Sequence, residues 1–229
     1  MPVDYAAELA GLSDDAIPAY LSAHSNLPGP RSNLELAYAF AATASEPLVT
    51  RLAADDDEYL RVCGVMGLGP LIAKGDVGRI TVLHQNASSS MWRVREAVAM
   101  ALQLLGDEDP SRLREIVTQW SGDADPLVQR AAIAAICEPR LLKDERTAQL
   151  ALDACQQTTR SLLARTDRRD PAVRVLRQAL GYCWSVAIAG RPVEGLATFA
   201  ELQRDRDPDV AWIVRDNLKK ARLKRLLPS

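Results

Sequence analysis

Five stretches of this chain follow one pattern: DEYLRVCGVMGL from residue 57, MWRVREAVAMAL from 91, DPLVQRAAIAAI from 125, DPAVRVLRQALG from 170 and DPDVAWIVRDNL from 207. Aligned on Leu60, Val94, Val128, Val173 and Val210, they recur at spacings of 34, 34, 45 and 37 residues. A weaker sixth copy, NLELAYAFAATA, begins at 33. Self-similarity at this period constrains the fold more than any composition statistic, because each unit needs its neighbours to bury its apolar face.

The motif has a direct physical reading. A leading aspartate satisfies the free N–H groups of a first helical turn, and proline fits the first helical position, where no N–H is required. Apolar residues then return every three or four positions, as in Val94, Ala97, Val98, Ala101 and Leu105, which is the stripe of an amphipathic helix. Before the copies lie further segments that predict helices over 46–54, 76–87, 111–121, 144–164 and 192–204. No alternating run bounded by Asn-Gly or Asp-Gly marks a strand. The glycines of GLGPLIAKGDVGR, from 67, are expected at a helix end and turn. In CEPRLL, from 137, Pro139 is expected to close the preceding helix and turn Arg140 outward.

The D-P-x-V pattern at 125, 170 and 207, with variants at 57 and 91, resembles the HEAT repeats over nearly the whole chain. LPGPRSNLELA at 27, WRVREAVAMALQ at 92, CEPRLL at 137 and LGYCWSVA at 180 are similar to strings in uncharacterised bacterial HEAT-repeat proteins. The resemblance implies an all-α, right-handed α-α superhelix (a HEAT-like solenoid) of about six helix pairs. One domain over 1–229 is expected, with an acidic N-terminal cap at about 1–45, repeats at about 46–205 and a basic C-terminal helix at about 207–227. Fold alone carries no function.

Charge is unevenly distributed. Residues 1–60 hold ten acids against Arg31 and Arg51, a balance of −8, so the remainder carries +6 of the net −2. The basic end permits an anionic partner or a solvated helix face. No apolar run reaches membrane-spanning length, and the acidic start lacks the basic region of a signal peptide, so a cytoplasmic protein without membrane contact is expected. Cys63, Cys137, Cys155 and Cys183 are widely spaced in apolar contexts, which suits buried reduced thiols better than metal ligands.

Catalytic signatures are scarce. His24 and His84 stand apart, and no phosphate loop or nucleophile elbow occurs. A non-enzymatic scaffold without cofactor, binding a protein or peptide on its concave face, is therefore the leading expectation. The alternatives are nucleic-acid binding through Arg93, Arg95, Arg174, Arg177, Arg215, Lys219 and Lys220, and an alkyl-base DNA glycosylase-like enzyme.

Candidate partner-binding residues fall in two groups. One is Trp92, Arg93 and Glu96, which the repeat pattern leaves unexplained. Trp92 and Glu96, with Arg95 beside them, offer an aromatic wall, a carboxylate and a cation, or else Trp92 packs across a repeat seam and Glu96 forms a surface pair. The other is a lane following each apolar anchor: Arg61, Arg95, Gln129, Arg174 and Ala211, then Val65, Ala99, Ile133, Gln178 and Arg215, then Gly69, Gln103, Cys137, Tyr182 and Lys219. Gln129, Arg174, Gln178, Tyr182, Arg215 and Lys219 join Arg95 as candidates from this lane, with Gly181 and Ser185 expected to leave room for an approaching group. Its arginines either face a ligand or pair with capping aspartates such as Asp57, Asp125 and Asp170.

Overall fold

The computed structural model describes residues 3–227, and the regular structure among them is helical. The first helices are α1 (Tyr5–Ala10), α2 (Ile17–Ala23), α3 (Leu34–Thr43), α4 (Glu46–Leu52), α5 (Glu58–Ala73), α6 (Arg79–Ala87) and α7 (Trp92–Glu108). There follow α8 (Pro110–Trp120), α9 (Pro126–Ile136), a 3-10 turn at Leu141–Lys143, α10 (Glu145–Leu163), α11 (Pro171–Gly190), α12 (Pro192–Arg204), α13 (Pro208–Leu218) and α14 (Ala221–Lys224). The fold is all-α with sequential helix-pair packing of the HEAT α-solenoid kind.

The capping chemistry works at most of the helix starts, though not at α2, α6, α12 or α14. Asp57 accepts from the amides of Tyr59 and Leu60, Asp125 from Leu127, Asp170 from Ala172 and Val173, and Asp207 from Asp209. Asp109 and Asp144 do the same for α8 and α10, and Asn33 opens α3 in the weak copy. Proline occupies the first turn of α8, α9, α11, α12 and α13. Past α9, Arg140 is exposed and pairs with Glu138 at 3.2 Å.

The chain gathers into two compact units, Met1–Glu108 and Asp109–Ser229. In the first, α3, α5 and α7 pack side by side; α4 backs α5, α6 backs α5 and α7, and α1 covers α3. In the second, α9, α11 and α13 form the equivalent row, backed by α8, α10 and α12, with α14 against α11. The cores are aliphatic: Val94, Val98, Leu102 and Leu105 in the first and Val128, Ile133, Leu176 and Leu180 in the second are sealed from solvent or nearly so. Each such side chain contributes about 1.5–3 kcal/mol by leaving water, more than a typical surface ion pair.

Two expectations are corrected. Gly67 and Gly69 lie inside α5, not at its end, because α5 is the central helix of its unit and its neighbours approach too closely for a Cβ. One added at Gly69 would sit 2.1 Å from the Ala101 carbonyl oxygen, and one at Gly64 would sit 2.1 Å from the Ala53 amide nitrogen. The turn falls instead at Gly75, whose φ of +106° favours glycine. The basic C-terminal helix expected over 207–227 is broken into α13 and α14 at Lys219 and Lys220. The break lets Leu223 turn back and bury itself beside α11.

Candidate functional site

In the first unit, the start of α7 lies beside the chain that links α2 to α3. Residues 24–33 form a lip held by several polar ties. The Asn33 amide donates to the Tyr5 hydroxyl and to the His24 carbonyl, each at 3.0 Å, while the Asn33 amide N–H bonds the Ser25 carbonyl at 2.9 Å. Tyr59, buried in α5, donates its hydroxyl to the Asn33 carbonyl at 2.6 Å. Burial pushes the Tyr59 phenol well above its usual range, so it remains a donor. Asn26 turns the chain in the left-handed region at φ 62°, a conformation asparagine tolerates.

From the other side, Arg93 ties α7 to this lip. Its Nη1 meets Glu58 at 2.8 Å, its Nη2 donates to the Gly29 carbonyl at 3.1 Å, and its guanidinium lies 4.5 Å from the Trp92 ring centroid. One planar cation thus couples α5, the lip and an indole face.

Between lip and helix opens a cleft of about 460 Å³. Val62, Ala97 and Met100 are its apolar lining from α5 and α7, Trp92 and Leu34 stand at it 50% and 40% exposed, and Arg31, Glu35 and Glu96 bring both charge signs. Trp92 therefore is not buried in a repeat seam but stands half in water. At the first position of α7 it precedes the buried stripe, and Arg93 holds its ring at the surface. A volume in this range suits a small molecule or a few peptide side chains.

The lane separates by position. Val65, Ala99, Ile133, Gly69 and Cys137 are buried, because the rows α3–α5–α7 and α9–α11–α13 close over them. Gln129 is also sealed. Its amide donates to Ser161 at 2.8 Å and to the Ser121 carbonyl at 3.3 Å and accepts from Arg165 at 3.3 Å, so it faces no partner. Arg95 turns back to the carbonyls of Ser89 and Ser90, at 2.6 and 3.1 Å. Arg174, Gln178 and Arg215 are exposed. Lys219, also exposed, bonds Asp216 at 3.0 Å, and Lys220 bonds the same carboxylate at 3.2 Å. Tyr182 is 43% exposed beneath the Arg222 guanidinium.

The room expected beside Gly181 and Ser185 is filled from α13. Trp212 occupies the space where a Gly181 Cβ would lie, and Asn217 accepts the Ser185 amide at 2.8 Å.

Ties between arginines and aspartates at helix starts are present, among them some made by arginines outside the lane. Arg114 pairs with Asp144, and Arg168 with Asp207 and Asp209; Arg177 also binds Asp209 at 2.6 Å and stacks on Trp212. Arg114 reaches its cap from the backing helix α8 and Arg168 from the loop ahead of α11, while Arg177 reaches the first turn of α13 from α11 itself.

The thiols are buried and free, and three of them converge: Cys137 and Cys155 sulfurs lie 3.8 Å apart, with Cys183 beside Cys137. Among the described residues no group of His, Cys, Asp or Glu is placed to hold a metal ion, and no helix is long and apolar enough to cross a membrane.

The repeated capped pairs, stacked second helix on second helix, invite comparison with known families. Residues 45–137 match the HEAT repeats. This HEAT segment runs from α4 through α9 and contains Trp92, Arg93 and Glu96, a narrower span than the whole-chain resemblance expected from the motifs. No curated protein and no solved structure matches the chain. The cleft's other wall, Tyr5 and residues 26–35, lies N-terminal to the HEAT segment. Sequence reasoning missed this wall; its signal is the turn-dense string NLPGP directly ahead of the weak repeat copy.

Proposed function

We propose that the chain is a non-enzymatic scaffold that binds a protein or peptide partner, with the Trp92 cleft as the anchoring point. The observation that carries this reading is a half-exposed indole fixed by a stacked, ion-paired arginine beside exposed Leu34, over an apolar lining. Exposed aromatics held rigid in a concavity are the usual anchors of protein interfaces, since they bury much area at little entropic cost. The flanking Arg31, Glu35 and Glu96 suit the polar backbone and mixed side chains of a peptide. HEAT repeats in general serve as protein-interaction arrays, which agrees with this use.

Against a nucleic-acid role stands the engagement of its cations: Arg93, Arg177, Lys219 and Lys220 each meet a carboxylate. The test is selection of displayed peptides on the immobilised chain, followed by fluorescence polarisation of the selected sequences. Peptides with a large apolar residue are expected, and Trp92→Ala should weaken them at least about tenfold. A selection that returns nothing above background, or peptides that bind Trp92→Ala equally well, overturns the reading. A gel shift persisting at low salt and unaffected by Trp92→Ala would instead favour nucleic acid.

A further inference from the structure

The second unit carries another cleft, of about 410 Å³, that no feature of the proposed partner site uses. Pro139, Leu142, Val186 and Ala189 give it apolar walls, and its ionisable lining residues, Lys143 and Arg222, are both cations. Among the described residues neither cation meets a carboxylate, in contrast with Arg93, Arg168 and Arg177. Arg222 is held by the Tyr182 hydroxyl, to which its Nη2 donates at 2.8 Å, and by the Tyr182 ring, 4.7 Å away. Its Nη1 is sealed from solvent without a hydrogen-bond partner.

A half-buried guanidinium with an unmade hydrogen bond is costly, and an arriving anion relieves that cost. The walls then choose among anions. A phosphate brings nearly two charges and three acceptor oxygens, more than one half-buried guanidinium and one exposed ammonium can satisfy against aliphatic walls. A carboxylate brings one charge and two oxygens, and an attached hydrocarbon gains by leaving water along Leu142 and Val186.

We propose that this cleft binds an amphipathic carboxylate, its chain against Leu142, Val186 and Ala189 and its head group at Arg222 and Lys143. The volume falls within the range of small-ligand sites. The proposal stands independently of the Trp92 cleft.

Calorimetric titration of the full chain with decanoate, below its micelle concentration, tests it. Saturable one-site binding is expected, weakened about tenfold or more in Arg222→Met, which keeps the apolar stem and loses the charge. Ala189→Phe, at an exposed position, should block the cleft without removing either cation, and melting curves of both variants check their folding. Decanol and inorganic phosphate should bind far more weakly. Absence of decanoate binding, equal binding by folded Arg222→Met and Ala189→Phe, or phosphate binding as tight as decanoate would each overturn the proposal.

Discussion

Trp184 donates its indole N–H to Thr159 at 3.1 Å and is closed to solvent, while Trp92 keeps half its surface in water. Truncating them should therefore separate stability from binding. Trp184→Ala is expected to lower unfolding free energy by about 3–5 kcal/mol through the cavity it leaves. Trp92→Ala should change it by under about 1 kcal/mol, and urea titration distinguishes the two. Asp144 gives a pH signature. Hydrogen bonds from the Thr147 side chain and backbone, with the charge of Arg114, hold its carboxyl below the usual 3.8. A depressed folded-state value means that Asp144 stabilises the chain fully above that usual value and loses the contribution as pH falls through its folded one. The stability gap between the parent and Asp144→Ala should accordingly be open at neutral pH and close on acidification below about pH 4, read from urea midpoints across a pH series. The cap aspartates were legible in sequence because a cap is a local act of one side chain on the next turn. Which arginine would reach each cap was not, since those partners lie about thirty to forty residues away.

The helices as elements follow their periodicity, and their departures from it mark where neighbours press. α5 is buried on nearly every face, so its glycines set how closely α4 and α7 approach. Gly69→Ala would drive a methyl into a backbone carbonyl that no rotamer change can move. A loss of about 3 kcal/mol is expected, seen as a lowered melting temperature with unchanged helical content below the transition. Between α11 and α13 the tie is polar. Asn217 is fully buried, donates to the Leu180 and Ile213 carbonyls at 2.9 and 2.8 Å, and accepts the Ser185 amide. Asn217→Leu removes these buried hydrogen bonds and should destabilise by about 1–3 kcal/mol, against a few tenths for an exposed change such as Gln178→Ala. Sequence periodicity placed Asn217 on a basic helix and did not mark it as a buried tie, because one polar residue in a capped amphipathic stretch reads as surface until its neighbour is known.

At the scale of the whole molecule, charge and burial divide along the chain. Residues 1–108 carry fourteen acids against seven bases, and residues 109–229 sixteen against twenty-one. The middle helix of each row is flanked on both sides, so amide hydrogen exchange should be slowest in α5 and α11 and fastest in α14. Exchange in α5 as fast as in α14 would contradict this picture of the core. The sequence by itself determined the all-helical class, the repeat period, the capped helix starts and the aliphatic stripe. Each of these is a local property, carried by residues within one or two turns of each other. Tertiary structure alone decided which lane residues are buried, which arginines meet which caps, and that Trp92 stands in a cleft. That cleft exists because Arg93 binds Gly29, 64 residues earlier in the chain, and Tyr59 binds Asn33, 26 residues earlier. A motif around Trp92 shows an aromatic beside charges; only the packed chain opposite it turns that motif into a site.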